Sequence, residues 1–282
     1  MAEITAEAVK KLRDRTGMQM MKCKAALTEA GGDMDKAVEI LRKQNKDAVD
    51  KAASRETAEG RVGVFIDPAR KIGALLELRC ETAPVAKSDL FVQLATDLAK
   101  QVATQGATTA GDLLAQPFVD DAKKTVAERI AEVVGLVKEN IKPARLVQMT
   151  GLLGSYVHHD GSVGVLLQVE GEKADPQLLR DVCMHIAARH PVAARREDLA
   201  PERLAKETEI AKAQVDADPK NKSKPPQILE KIIEGKVKTW LAENVLVEQP
   251  FVKDDSKTVG QLLQAGGLKM GKFVRYKVGE VS

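Results

Sequence analysis

Gly266-Gly267-Leu268-Lys269-Met270-Gly271-Lys272 has the G-x-x-x-x-G-K spacing with which a glycine-rich loop cradles phosphates. The hydroxyl that would ligate Mg²⁺ is missing, because the next residue is Phe273. The context is reversed as well. A phosphate loop follows a strand and opens a helix, whereas this one precedes the strand-like run Lys272 to Val278. Nucleotide binding at this loop is therefore rejected. His158 and His159 are adjacent on a strand end, so they point to opposite faces. His185 and His190 are five residues apart, roughly 140° on a helix, unlike the i, i+4 pair of a zinc helix. Cys23, Cys80 and Cys183 are scattered and form no C-x-x-C, which fits reduced thiols better than a disulfide framework or zinc ribbon. No catalytic residue, metal site or cofactor is expected, and the histidines are expected to be structural or interface residues.

The methionines suggest binding in place of covalent chemistry. Met18-Gln19-Met20-Met21 follows the turn Arg15-Thr16-Gly17. Methionine fills irregular core gaps and also suits adaptable docking surfaces. Thr16 and Gln19 have the spacing of a capping box, which predicts a helix starting at Gly17. Cys23, Ala26, Leu27 and Ala30 then form its buried stripe. On that wheel Met20 falls beside the stripe, while Met18 and Met21 fall opposite it with Ala25, flanked by Lys22 and Lys24. An apolar strip between lysines on an outer helix face is a candidate protein-binding surface. Loose exposed methionines at a helix start are the other reading.

The elements that must hold these residues follow from composition and periodicity. A chain of 282 residues accommodates about two domains. With 44% apolar but only 3% aromatic residues, the core must be aliphatic. The balance of 44 basic and 41 acidic residues argues against dedicated nucleic-acid binding, and the scarcity of aromatics argues against a base-stacking platform. The N-terminal Met-Ala-Glu-Ile-Thr shows no signal or transit pattern, and no run approaches the ~18 apolar residues of a membrane span. A soluble, cytoplasmic protein is expected.

Residues 1–45 are expected to form three short helices, with Thr16 and Asp33 as caps and Gly31-Gly32 as a stop. A polar, alanine-rich helical linker is expected over 46–60. Arg61 to Ile66 and Lys71 to Leu78 alternate like a hairpin about Asp67-Pro68-Ala69-Arg70. A helix starting near Ser88 carries Phe91, Leu94, Ala95, Leu98 and Val102. The same order returns later: strands at Ser155–His158 and Ser162–Glu170, then a helix with Leu178, Leu179, Val182 and Ile186. Lys71-Ile72-Gly73-Ala74-Leu75-Leu76 and Ser162-Val163-Gly164-Val165-Leu166-Leu167 occupy equivalent places. The expected fold class is α+β: a three-helix domain, then a duplicated core of hairpins and helices with subdomains at 61–150 and 151–282. An antiparallel helical hairpin is inserted at about 201–246, its basic tip running from Asp218 to Pro226. Lys220, Lys222 and Lys224 at that tip could touch RNA, although a solvated loop explains them.

Leu12-Arg13-Asp14-Arg15-Thr16-Gly17, Met20-Met21-x-Cys23-Lys24-x-Ala26-Leu27 and Ala30-Gly31-Gly32-Asp33 resemble the N-terminal ubiquitin-associated-like (UBA-like) domain of the bacterial elongation factor Ts family. Met184-His185-Ile186-Ala187-Ala188, Gln249-Pro250-Phe251-Val252-Lys253-Asp254, Lys257-Thr258-Val259-Gly260 and Phe273-Val274-Arg275-Tyr276-Lys277-Val278-Gly279 resemble its later signatures, in order along nearly the whole chain. The resemblance implies a translation elongation factor that binds the GTPase elongation factor Tu, loosens its Mg²⁺ and phosphate contacts and speeds GDP release, with no covalent step. It places docking on Arg13, Met20, Met21 and Lys24, to which the outward strip of the helical wheel adds Met18, and a partner contact on His158, and it allows a homodimer through the helical hairpin. It also implies that the extra C-terminal helical module of some members is missing.

One departure stands out. Where the family commonly has Thr-Asp-Phe-Val, whose Phe disturbs the Mg²⁺ site of the GTPase, this chain has Thr82-Ala83-Pro84-Val85. A smaller, pre-set wedge at Ala83-Pro84 is one reading. A binding-only partner or chaperone of elongation factor Tu without efficient exchange is the other.

Overall fold

The computed structural model describes residues 4–280. Met1-Ala2-Glu3, on which the missing leader pattern partly rests, and Val281-Ser282 lie outside the described residues. The chain divides into two compact units. One comprises residues up to Met149 with Val157–Gly164 and the segment from Tyr276, and the other Thr150–Tyr156 with Val165–Arg275. Among the described residues no helix is long and apolar enough to cross a membrane.

The first unit opens with α1 (Ala6–Thr16), α2 (Met20–Glu29) and α3 (Met34–Ala52). Thr5 caps α1 by accepting from the Ala8 N–H, and Gly17 ends it in the left-handed region at φ 69°, its N–H on the Arg13 carbonyl. The predicted capping box at Thr16 does not form. The Thr16 hydroxyl turns back to donate to the Leu12 carbonyl at 2.7 Å, and α2 starts three residues later than Gly17, with Gln19 as its cap. Met18 therefore lies in the connection, where the helical wheel does not apply. It is 1% exposed, packed among Leu12, Cys23, Leu27 and Leu41. Burying a methionine is worth about 1.5–3 kcal/mol, so the core claims it. Met20, expected beside the core, is 49% exposed, and Met21 is 73% exposed. The outward pair is Met20 and Met21, and the expectation for Met18 is corrected accordingly.

Asp33 caps α3 as expected, its carboxylate accepting from the Asp35 and Lys36 N–H groups at 3.0 Å. The helix then overruns the predicted linker as far as Ala52. Leu41, Asn45, Val49 and Ala52 continue one stripe past residue 45, and they settle on α7 (Val126–Val137) and the core around it. Gly135 of α7 permits the approach, since a β-carbon there would overlap the Asn45 side chain and press on the Met18 methyl.

The body of this unit is a sheet in the order β1 (Glu59–Asp67), β2 (Ile72–Cys80), β5 (Lys142–Thr150). β1 and β2 pair antiparallel from Glu59↔Cys80 to Asp67↔Ile72. A short helix, α4 (Ala83–Lys87), precedes α5 (Asp89–Gln105), which lies across the hairpin. Residues 107–150, unassigned by periodicity, hold α6 (Ala110–Ala115), β3 (Pro117–Phe118), β4 (Asp121–Thr125), α7 and β5. Thr125 and Glu128 cap α7 reciprocally.

The second unit repeats the plan. Its sheet has the order β6 (Leu152–Val157), β7 (Val163–Glu170), β10 (Lys269–Lys277), followed in sequence after β7 by α8 (Pro176–Arg189). β8 (Pro250–Phe251), β9 (Asp254–Thr258) and α11 (Val259–Ala265) answer β3, β4 and α7. Between α8 and β8 run two long helices, α9 (Pro201–Ala217) and α10 (Pro226–Asn244), packed on each other with Lys236 Nζ donating to Gln214 Oε1 at 3.0 Å. Only Gly266-Gly267-Leu268 connects α11 to β10, and Lys269 to Lys272, expected ahead of the strand, are already its first residues, so this glycine-rich run leads into a strand and opens no helix.

Two details match between the units. Gly63 in β1 lies under the Ala95 carbonyl of α5, and Gly154 in β6 lies under Leu179 of α8. A β-carbon at either position would collide with the helix above. Gln101 of α5 and His185 of α8 do the same work with different chemistry. Gln101 donates to Gln116 Oε1 at 3.0 Å and accepts the Val119 N–H at 2.7 Å. His185 Nε2 bonds Gln249 Oε1 at 2.9 Å, and its Nδ1 accepts the Val252 N–H at 3.1 Å. That pattern fixes a neutral imidazole with its proton on Nε2.

Burial holds the His185 imidazole below its ordinary value; the Gln249 bond opposes this and the charge of Arg189 adds to it. As pH falls the unfolded chain takes up this proton first. The contribution is complete above about pH 6.5 and is lost as pH drops toward the folded value. His185→Gln, imitating Gln101, should flatten the loss of stability between about pH 7 and 5, by at most ~1.4 kcal/mol per pH unit. Urea unfolding across that range measures it, and an unchanged acid slope would contradict the assignment. Gly63→Ala should cost about 2–3 kcal/mol in the same assay, because the obstacle is helix backbone that cannot rotate away.

Candidate partner-binding surfaces

On α2 the exposed face carries Met20 and Met21, and Met21 shares a shallow depression with Lys24, Ala25, Thr28 and Glu29. Arg13 is exposed on α1, its Nε 3.8 Å from the Asp14 carboxylate. Lys22 does not flank this patch. Its Nζ turns inward to the Gly135 carbonyl at 3.4 Å, where the Lys138 ammonium also donates. The hydrogen-bonding Lys22 beside it, together with burial, holds Lys138 below the usual lysine range. The apolar strip is thus bordered by Lys24 alone of the two expected lysines.

The second surface is the tip between β2 and α4. Thr82 is the N-cap of α4, yet its side chain makes no cap bond, because its hydroxyl donates to Glu139 Oε1 at 2.6 Å. Pro84 sits in the first turn, where a missing N–H leaves nothing unpaired. Val85 packs against the core and Ala83 is half-buried, so Pro84 is the exposed apolar point of the tip. Behind it the Cys80 thiol, pushed up to about 12 by burial and then by the Glu139 charge, donates to the Thr82 carbonyl at 3.4 Å. Burial likewise pushes the Cys183 thiol up, so neither cysteine is a ready thiolate.

His158 lies in the turn between β6 and β7. Its Nδ1 is 3.0 Å from Asp160 Oδ1, which also accepts from the Ser162 N–H and hydroxyl at 2.8 and 2.7 Å. Partial burial would raise Asp160, but the Ser162 and His158 bonds prevail and hold it well below the usual carboxylate range. A charged Asp160 keeps the His158 ring aimed; the exposed His159 ring, expected on the opposite face, lies only 4.2 Å from it, because both histidines follow the end of β6 and strand alternation does not apply to them. The residues expected to dock, the tip and His158 thus sit on three separate elements: α1–α2, the start of α4, and a hairpin turn.

Sequence reasoning did not single out Glu139, Asn140 or Arg55. Glu139 takes the backbone N–H groups of Glu81 and Thr82, whereas Glu81 takes the Asn140 N–H. These partners are 57 to 59 residues apart, and no local spacing marks them. Among the described residues no cluster of three or more His, Cys, Asp or Glu is placed to hold a metal ion.

The profile of the family described as "Elongation factor TS" matches residues 81–280. The chain is 42% identical over 280 residues to elongation factor Ts of Methylococcus capsulatus, covering 98% of this chain and 92% of that one. It is 44% identical over 282 residues to elongation factor Ts of Azoarcus sp., with 99% and 92% covered. For elongation factor Ts of Clostridium botulinum the figures are 38% over 289 residues, with 98% and 93% covered. With a family profile spanning most of its length and relatives matched almost end to end, the chain belongs to the elongation factor Ts family.

Proposed function

We propose that this protein is a guanine-nucleotide exchange factor that binds elongation factor Tu in its GDP form and promotes GDP release. The observation that carries this reading is family membership along nearly the whole chain, joined to an apolar tip at Thr82–Val85 with Pro84 exposed. Exchange of this kind is differential binding. The factor accelerates release only as far as it prefers the nucleotide-free partner, so no covalent step is needed.

In this reading α1–α3 form a UBA-like docking module. Met20, Met21 and Lys24, with Arg13 beside them, meet the nucleotide-binding domain of the GTPase, and Met18 supports the patch from beneath. His158 makes a further contact. The Thr82-Ala83-Pro84-Val85 tip disturbs the Mg²⁺ and phosphate contacts, Pro84 serving as a small wedge of fixed shape. The α9–α10 pair is the inserted helical hairpin and carries a homodimer contact, a reading supported by exposed Ile210 and Ile228. The missing aromatic at position 84 favours the one competing reading, a partner that holds elongation factor Tu without efficient exchange.

Release of a fluorescent GDP analogue from elongation factor Tu of the same organism separates the two. Sub-stoichiometric protein is expected to accelerate release. Met21→Ala should raise the concentration giving half-maximal rate about tenfold or more, the scale of losing an apolar anchor. Pro84→Gly should instead lower the maximal rate. Tight binding with unaccelerated release selects the binding-only reading. In sedimentation equilibrium the protein should dimerise, and Ile228→Glu should shift it to monomer.

A further inference from the structure

Glu139 follows Lys138, whose left-handed backbone at φ 65° ends α7. Its carboxylate reaches the loop after β2. Oε2 accepts the N–H groups of Glu81 at 3.1 Å and Thr82 at 3.0 Å, and Oε1 accepts the Thr82 hydroxyl at 2.6 Å. Glu81 reciprocates: its Oε1 accepts the Asn140 N–H at 2.5 Å and lies 3.1 Å from Arg55 Nε. Arg55 Nη2 donates to the Lys138 carbonyl at 2.9 Å, and the Asn140 side chain donates to the Arg55 carbonyl at 2.8 Å. Two carboxylates are thus exchanged between the loop at 81–82 and the loop at 139–140. Arg55, three residues beyond the end of α3, closes the ring.

This ring holds a segment that cannot hold itself. α4 has five residues, too few to be stable alone, and its cap residue spends its hydroxyl on Glu139. Bonds to an ionised acceptor are roughly twice as strong as neutral ones. Two of the three act on backbone N–H groups immediately before Ala83, so they set the direction in which Ala83 and Pro84 project. A large aromatic ring could orient itself by the area it buries. Proline offers little area, so its contribution depends on being held in place beforehand. The geometry points to Glu139 as the positioning residue that aims the Thr82–Val85 tip for nucleotide release. The inference rests on the exchange reading of that tip.

The test uses the full chain with elongation factor Tu of the same organism. Glu139→Ala should lower the maximal rate of GDP-analogue release about tenfold, equivalent to ~1.4 kcal/mol, while the half-maximal concentration stays within about twofold. Glu139→Gln should recover most of the rate, since its carbonyl can accept both N–H groups and its amide can donate to the Thr82 oxygen. Thr82→Val, losing one of the three bonds, should give an intermediate rate. In hydrogen exchange the Glu81 and Thr82 amides should be protected in the wild type and exposed in Glu139→Ala, with α5 unchanged. A wild-type maximal rate in Glu139→Ala overturns the inference. So does a parallel loss of affinity, rate and α5 protection, which would mark a purely structural role. If Glu139→Ala does not fold, an undiminished maximal rate in Thr82→Val overturns it. Failure of the wild-type chain to accelerate release defeats the exchange reading instead, and the amide protection then reports separately on whether the clamp exists.

Discussion

A helix can lie directly on a strand only where the strand gives up its side chain, and the architecture depends on that close approach. Gly63 under α5 and Gly154 under α8 each accept helix atoms where a β-carbon would stand. Once the helix is seated, Leu94, Leu98 and Val102 in one unit, and Leu179, Val182 and Ile186 in the other, reach the inward side of the sheet and make an aliphatic core with few rings. The buried polar residue on each helix then fixes the next segment. Gln101 ties down Val119 and His185 ties down Val252, so each two-stranded ribbon and the helix after it are referenced to the same helix. Side chains alone would leave that register loose, whereas a bond to a backbone N–H in a buried place defines it.

Much of this was legible because it is local. Alternation marked both hairpins to within a few residues, and the stripes of α5 and α8 follow from their spacing. The errors have physical causes. Placing the start of α2 at Gly17 assumed that Thr16 caps forward. It bonds backward to Leu12, which carries Met18 off the wheel and into the core. α3 runs past its expected end because its partner, α7, lies about ninety residues away in sequence, beyond the reach of any periodicity argument. The ribbons around Phe118 and Phe251 are too short to alternate, yet a signal for them was present. Gln116-Pro117-Phe118-Val119 recurs as Gln249-Pro250-Phe251-Val252, and Lys124-Thr125-Val126 recurs as Lys257-Thr258-Val259. The ring around Glu139 left no such trace, being assembled from three distant segments.

The surfaces differ in how they are held, and the difference follows from their size. Met20 and Met21 ride on a regular helix and need no further support. The Thr82–Val85 tip is short and carries no ring, and it is held by charged groups drawn from elsewhere in the unit. His158 is intermediate, a single side chain steadied by the acidic residue two positions on. The smaller the apolar element, the more polar scaffolding it collects.

The overrun of α3 has a consequence for the order in which a partner is engaged. Had residues 46–60 been a slack tether, a partner caught on Met21 would have met the tip only after a search through the tether's volume, at the effective concentration its length allows. Instead one helix runs from the three-helix bundle onto α7, so the methionine patch and the Pro84 tip belong to a single piece of structure. On the exchange reading, a partner that fits one would meet the other at a distance already set, and a partner of the wrong span would be refused by geometry before the tip engages it.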